Sequence, residues 1–432
     1  MRLGGRIAAA IDVLADIDTN HRPASVALAD WGRAHRFAGS GDRAAIGNIV
    51  YDALRRRASI GYRMDDDGPL ALAFGALLEG WSLTPEAIAE ALAGDRFAPE
   101  PPMAALAAAA TCDMTFADAH VEADVPAWCA DLLADNFGEE WIDEAKAFAE
   151  RPPLDLRVNT LKADRDKVQK ALARTGARPT AIARHGLRIT PPGGAGRLPN
   201  VQAEPAFQKG WFEIQDEGSQ IVADLVFAQP GEQVFDLCAG AGGKTLALAA
   251  AMQNKGQVHA FDADKQRLAP IFDRLRRAGT RNVQVHAADA DLSPLDGRCD
   301  RVVVDAPCTG SGTWRRNPDA KWRLTQGQLD RRCAEQAAIL DAAARYVRPG
   351  GYLCYITCSV FLAENEEQVY RFGDRHAGWS LLSAGEVWQD LFGFDKPQPW
   401  SSDLDCVTLT PRATQTDGFF FAVLQRAQGN RP

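Results

Sequence analysis

From Gln233 onward the chain alternates short apolar runs with amphipathic stretches, and this rhythm limits its fold more than any other feature. "EQVFDLC", "QVHAFDA", "VQVHAA", "DRVVVDA" and "GGYLCYIT" read as strands, while "TLALAAAM", "KQRLAPIFDRLRRAG", "LDRRCAEQAAILDAAARYV" and "AENEEQVYRFGDRH" read as helices. Strands separated by helices do not pair as hairpins, so the expected fold is α/β, a parallel sheet with helices on both faces. In such sheets ligands bind beyond the carboxyl ends of the strands. The last segment, "DCVTLTPRATQTDGFFFAVLQR", shows two alternating runs and is expected to form an edge hairpin.

Two differently textured regions precede this one. At 432 residues the chain exceeds one ordinary core. "GRIAAAIDVLADI" and "AAIGNIVYDALRRRASIGYRM" carry apolar residues at helical spacing, and "PEAIAEALAG" follows a Thr84 cap with Pro85 at its first position. Residues 1–140 are therefore expected to be an all-helical domain. In 141–212, "LDLRVNTL", "DRDKVQKALARTG" and "GLRIT" suggest a small basic α/β subdomain, leaving 213–432 for the α/β sheet.

The net charge of −9 argues against a polyanionic partner only until its distribution is read. Residues 64–150 hold 19 acidic side chains against 2 basic ones, whereas residues 151–200 hold 11 Lys and Arg against 3 Asp. One acidic segment dominates the total, which leaves room for a basic surface facing RNA; two ordinary solvated faces would read the same way. The apolar start is broken by Asp12, Asp16 and Asp18, so no signal peptide and no membrane partner are expected. A cytoplasmic location follows as the default, with the nine cysteines reduced. No CxxC pair occurs, and no metal site is expected.

"FDLCAGAGGKT" is a strand running into a glycine-rich turn that opens a helix. Gly240, Gly242 and Gly243 would let a ligand approach the backbone, but the spacing is neither a dinucleotide fingerprint nor a P-loop. Asp236, Asp262, Asp289 and Asp305 are read as ending four successive strands. Asp262 could accept both ribose hydroxyls of an adenosine and Asp289 could meet its amino group. With no phosphate-binding pattern, S-adenosyl-L-methionine is the cofactor that fits.

Cys308 in "DAPCTGSGTWRRNPDAKW" and Cys358 in "YITCSVFLAENEEQV" each lie just beyond a hydrophobic strand. Either alone reads most simply as an inert buried thiol. Together with "DLCAGAGGKT", "LRVNTL", "WFEIQDEGSQ" and "DGFFFAVLQR", the motifs resemble the RsmB/Sun family of RNA (cytosine-5)-methyltransferases over residues 150–425. More loosely, the helical region resembles the NusB-like RNA-binding domain of bacterial members. The resemblance implies a Rossmann-like class I methyltransferase domain and ribosomal RNA of the small subunit as substrate; a monomer is expected. It implies Cys358 as nucleophile, Cys308 for product release, Asp305 at the base edge and Lys244 orienting the base. The implied cofactor set is Cys238, Ala239, Gly240, Ala241, Gly242, Gly243, Lys244, Asp262, Arg267, Asp289 and Asp305.

The chain departs from the family in lacking the proline usual in the glycine turn and in having Thr309 after Cys308. Arg315, Arg316, Lys321 and Arg323, interleaved with Trp314 and Trp322, suit phosphates and unstacked bases; a packed, salt-bridged loop would have the same composition. Two other functions stay open. A DNA cytosine-5 methyltransferase would use the Pro-Cys cysteine as nucleophile and need no second one, and a non-catalytic ribosome-assembly factor could retain the scaffold.

Overall fold

A computed structural model describes residues 1–399 and 405–428. It divides into two compact units, one comprising Met1–Pro152, Pro191–Leu198 and Thr313–Thr325 and the other comprising the rest. Among the described residues no helix is long and apolar enough to cross a membrane.

The first unit is helical. Ile7, Ala10, Leu14 and Ile17 of the helix Leu3–Asn20 meet Ile46, Ile49 and Val50 of Ser40–Arg55 and Leu72, Phe74 and Leu77 of Pro69–Glu79 in one core. The second periodic stretch does not run through to Met64; it breaks at Arg56, where φ −115° and ψ 30° leave the helical region, and resumes as Arg57–Met64. Thr84 caps the helix Pro85–Leu92 by accepting from the Ala87 N–H. The unit extends beyond residue 140 to Pro152 and takes in Thr313–Thr325, the stretch that follows the Cys308 motif.

The second unit begins with a four-stranded antiparallel sheet of β1 (Leu154–Val158), β2 (Arg178–Pro179), β3 (Gly186–Ile189) and β4 (Phe212–Ile214), in the order β2-β3-β1-β4. Buried Asp155 on β1 pairs with Arg188 on β3 at 2.7 Å and accepts from the Glu217 N–H, which ties this sheet to the helix Glu217–Leu225.

The large sheet follows the alternation read in the sequence. β5 (Gln233–Asp236), β6 (Gln257–Ala260), β7 (Val283–Val285), β8 (Cys299–Asp305) and β9 (Val347–Thr357) are mutually parallel in the order β7-β6-β5-β8-β9. Both faces are buried: Val234, Val303 and Ile356 point into one core cluster and Phe235, Val304 and Tyr355 into the other. The direction of winding reverses between β5 and β8, which opens a crevice at their carboxyl ends.

The terminal hairpin differs from expectation. β11 (Val407–Leu409) and β12 (Phe419–Arg426) do pair antiparallel, but β12 is interior, flanked by β9 and by β10 (Trp379–Leu382). Phe420 and Phe421 are both fully buried, on opposite faces, so the strand carrying them needs packing on both faces of the sheet.

Candidate active site

The glycine turn, Cys238 to Gly242, connects β5 to the helix Gly243–Ala251. Gly242 has φ 81°, and a Cβ there would stand 2.5 Å from Ile271, so close packing alone demands glycine. Gly240 has φ 48°, and a Cβ on it would lie 3.7 Å from Arg267 Nη2 and 3.9 Å from Asp262 Oδ2. The turn, Asp262 and Arg267 are therefore neighbours. Asp262 is buried, with Oδ2 accepting from Gly240 N–H and Oδ1 from Asp264 N–H, each at 2.8 Å. Ala239 and Ala241 supply backbone contacts: Ala239 N–H donates to Phe261 O, and Ala241 O accepts from Arg274.

Of the four aspartates, only Asp236 and Asp305 end strands. Asp262 falls in the loop after β6, and β7 stops at Val285, which leaves Asp289 exposed in the loop beyond. The short, weakly apolar "VQV" cannot sustain the strand further. Asp236 Oδ2 accepts from Thr245 Oγ1 at 2.6 Å, while Oδ1 is buried with no hydrogen-bond partner among the described residues. Burial, only partly offset by Thr245, pushes this carboxyl up to about 7. An orphaned acceptor behind a glycine turn, with Asp262 and Arg267 at its rim, fits a cofactor that brings donors and a cationic centre. Burial likewise drives the Cys238 thiol upward, assisted by the surrounding carboxylates.

At the switch point, Lys244 Nζ meets Asp305 Oδ2 at 2.7 Å. The lysine is buried, and Asp305 retains 32% of its side-chain exposure. Ser219 Oγ, 3.4 Å from Nζ, and the Phe419 ring, 5.2 Å away, complete the ammonium's surroundings. Ser219 and Phe419 belong to motifs visible in the sequence, "WFEIQDEGSQ" and "DGFFFAVLQR", but nothing in one chain's spacing says that they converge on Lys244.

β8 and β9 are parallel neighbours with Asp305 opposite Ile356, so the loops leaving them emerge side by side. This brings Cys308 Sγ within 3.3 Å of Cys358 Sγ, far beyond the ~2.05 Å of a disulfide. Both thiols are free and only partly buried. The hydrogen bond with Cys358 is the first cause holding the Cys308 thiol well above its ordinary value; burial and the charges of Cys358 and Glu364 add to it.

Half of the aromatic and cationic loop is buried, where the sequence suggested a surface open to RNA. Trp314, Arg315 and Lys321 are 2%, 4% and 2% exposed inside the helical unit. Arg55 Nε donates to Arg315 O at 2.8 Å, Lys321 Nζ to Arg55 O at 3.1 Å, and Trp322 Nε1 to Leu54 O at 2.6 Å. Helix Ser40–Arg55 ends with carbonyls that lack intrahelical partners, and the Lys321 and Trp322 donors fill those of Arg55 and Leu54. Arg323 pairs with Asp319 at 2.6 Å. Burial lowers Lys321 to about 8, against the pull of Asp124.

Residues 224–425 match the family model 16S rRNA methyltransferase RsmB/F, and residues 125–194 match the ferredoxin-like domain of RsmF/B-like methyltransferases. The Synechocystis protein named "Probable ribosomal RNA small subunit methyltransferase B" is 34% identical over 70% of this chain and 67% of its own length. The ribosomal RNA small subunit methyltransferase B of Erwinia tasmaniensis is 36% identical over 69% of this chain and 66% of its own, so the chain spans about two thirds of such relatives. Among solved structures, PH0851 superposes with a TM-score of 0.74 at 25% identity, covering 99% of both chains. A methyltransferase homolog protein from Pyrococcus horikoshii gives 0.60 at 28% identity, covering 73% of this chain and 100% of its own. The sheet with its glycine turn, the ferredoxin-like insert and the sequence identity converge: this chain belongs to the RsmB/F family of S-adenosylmethionine-dependent 16S rRNA methyltransferases.

Proposed function

We propose that this protein methylates carbon 5 of a cytosine in small-subunit ribosomal RNA through a covalent cysteine adduct. The 3.3 Å approach of Cys308 and Cys358, beside the Lys244–Asp305 pair, carries this reading. Carbon 5 of cytosine is a poor nucleophile. Addition of the Cys358 thiolate to carbon 6 forms a C–S bond and pushes the ring electrons onto carbon 5, making it enamine-like. S-adenosylmethionine, when bound, supplies the methyl group that carbon 5 accepts. Removal of the carbon 5 proton then restores the ring double bond, and the C–S electron pair returns to sulfur.

The electrostatics support a division of labour. In the resting site the Cys308 thiol is held protonated, chiefly by its hydrogen bond with Cys358. Bonding of the Cys358 sulfur to carbon 6 removes the partner whose hydrogen bond and charge raise Cys308. Cys308 can then give its own proton to solvent and, as the thiolate, take the proton that leaves carbon 5. We assign Asp305 to the base edge near ring nitrogen 3, and Lys244 to holding that carboxylate and orienting the base. The cofactor is assigned to the turn from Cys238 to Lys244 with Asp236, Asp262, Arg267 and Asp289.

For the RNA surface we propose the ferredoxin-like subdomain in place of the buried tryptophan loop. Lys162, Lys167, Lys170, Arg174, Arg178, Arg184 and Lys209 are exposed there. Half-buried Trp211 lies under the Lys167 and Lys209 ammonium groups at 4.2 and 5.2 Å. An open cleft of about 610 Å³ is lined by Arg165, Arg184 and Lys396. The helical unit, which resembles NusB-like domains, is proposed as a second RNA-binding element.

The test is a denaturing gel with labelled RNA. Cys358→Ala should bind RNA and cofactor yet form neither product nor adduct. Cys308→Ala should attack and transfer but release slowly, leaving a shifted protein–RNA band. The reverse pattern would make Cys308 the nucleophile, as in DNA cytosine-5 methyltransferases, and activity retained in both variants would remove the cysteines from the chemistry.

A further inference from the structure

Cys308 and Cys358 sit on separate loops, and two consecutive side chains of the "AENEEQV" motif brace both. Glu364 is fully buried. Its Oε1 accepts from Thr309 N–H at 2.8 Å and its Oε2 from Thr309 Oγ1 at 2.5 Å. Gln336 Nε2 bridges Oε1 and the Pro307 carbonyl, both at 3.0 Å, so the residues on either side of Cys308 are tied to one carboxylate. The Ser359 hydroxyl also bonds to Glu364, from the other loop. Asn365, equally buried, accepts from Thr357 Oγ1 at 2.6 Å and donates to Ser359 O at 3.0 Å, holding the residues on either side of Cys358. Direct cross-bracing follows: Gly312 N–H donates to Cys358 O at 2.9 Å, and the Ser311 and Ser359 hydroxyls meet at 3.0 Å.

A buried carboxylate persists only where its lone pairs are filled. Here the donors come from the loops that carry the two thiols. We propose that Glu364 and Asn365 are positioning residues for the methyl-transfer reaction, setting the separation of the Cys308 and Cys358 sulfurs. Neither touches the reacting atoms. The role rests on the two-cysteine reaction proposed above.

The experiment measures sulfur separation and turnover independently. The full-length protein, without RNA or cofactor, is treated with dibromobimane, which becomes fluorescent on bridging two neighbouring thiols; peptide mapping identifies the Cys308–Cys358 bridge. Glu364→Ala should bridge this pair several times more slowly than wild type. Its kcat should fall roughly tenfold to a hundredfold, the scale of an ångström-sized misplacement, with KM for S-adenosylmethionine unchanged. Glu364→Gln should restore bridging, because the amide can still accept from Thr309 N–H while donating to Thr309 Oγ1. Should Glu364→Ala fail to fold, Thr309→Val removes one of the bonds without emptying the site and should slow bridging and turnover to a smaller degree. Wild-type bridging in a folded Glu364→Ala or Thr309→Val protein overturns the positioning role. A failure of the adduct pattern on RNA overturns the underlying reaction, and the resting-state assay separates the two.

Discussion

Two carboxylates beside the glycine turn make different demands on it. Asp262 uses both oxygens to hold Gly240 and Asp264, so Asp262→Ala removes the brace that shapes the turn along with the proposed ligand contact. Calorimetry should show S-adenosylmethionine affinity weakened by about 1–3 kcal/mol; unchanged affinity would take Asp262 out of the site. Asp236 carries a pH signature. Its folded-state value of about 7 lies above the ordinary 3.8, mainly through burial. Between those values the folded protein binds more protons than the unfolded chain, so stability declines as pH rises through that window. Asp236→Asn keeps an acceptor for Thr245 and cannot ionise. Its melting temperature should gain on wild type as pH goes from 5 to 8, and parallel melting curves across that range would refute the buried, ionising Asp236. The aspartates' clustering after strands was legible because acidic residues recur there in the sequence; the exposed position of Asp289 was not, because how far a three-residue strand extends depends on its neighbours in the sheet.

At the level of elements, the parallel sheet could be read from alternation alone, because β5, β8 and β9 are apolar on both faces and β8 is followed by the long helix Gln326–Ala344. The errors have one cause: a composition can serve two environments. Indoles and cations in "WRRNPDAKWR" suit RNA, but they equally suit the open carbonyls at the end of helix Ser40–Arg55, 266 and 268 residues earlier in the chain. "FFFAVLQR" has the composition of an edge hairpin, yet β12 pairs with β9 on one side and β10 on the other, and its consecutive phenylalanines are covered on both faces. The correction moves the RNA prediction. RNA affinity should fall steeply with salt despite the overall charge of −9, because a local cationic surface releases counterions. Reversing Lys167, Lys170, Arg174 and Arg178 to Glu should flatten the dependence of log affinity on log salt. Arg316→Glu should leave the slope as it is. If the four reversals change nothing, the ferredoxin-like face is not the contact surface.

On the scale of the whole molecule, the chain crosses between its units more often than a linear reading of domains implies. Thr313–Thr325 leaves the α/β unit a few residues after Cys308, lodges in the helical unit and returns at Gln326. Its partners there are numerous: Trp322 packs on the helical core, Lys321 faces Asp124, and Trp314 is buried. A chain starting at Pro153 would keep every residue assigned to the cofactor and both cysteines, but would strip this segment of its surroundings. Two indoles and a lysine built for burial would then face water, presenting a new apolar patch. The truncated protein should bind S-adenosylmethionine as the full chain does, yet self-associate in size-exclusion chromatography and bind a hydrophobic dye. Replacing Trp314 and Trp322 with Gln in the truncated protein should reverse both effects, because the patch is theirs. A monodisperse truncated protein with no added dye binding would mean that Thr313–Thr325 finds cover without the helical unit. Loss of cofactor binding in a folded truncated chain would mean that the turn from Cys238 to Lys244 depends on more than its own unit.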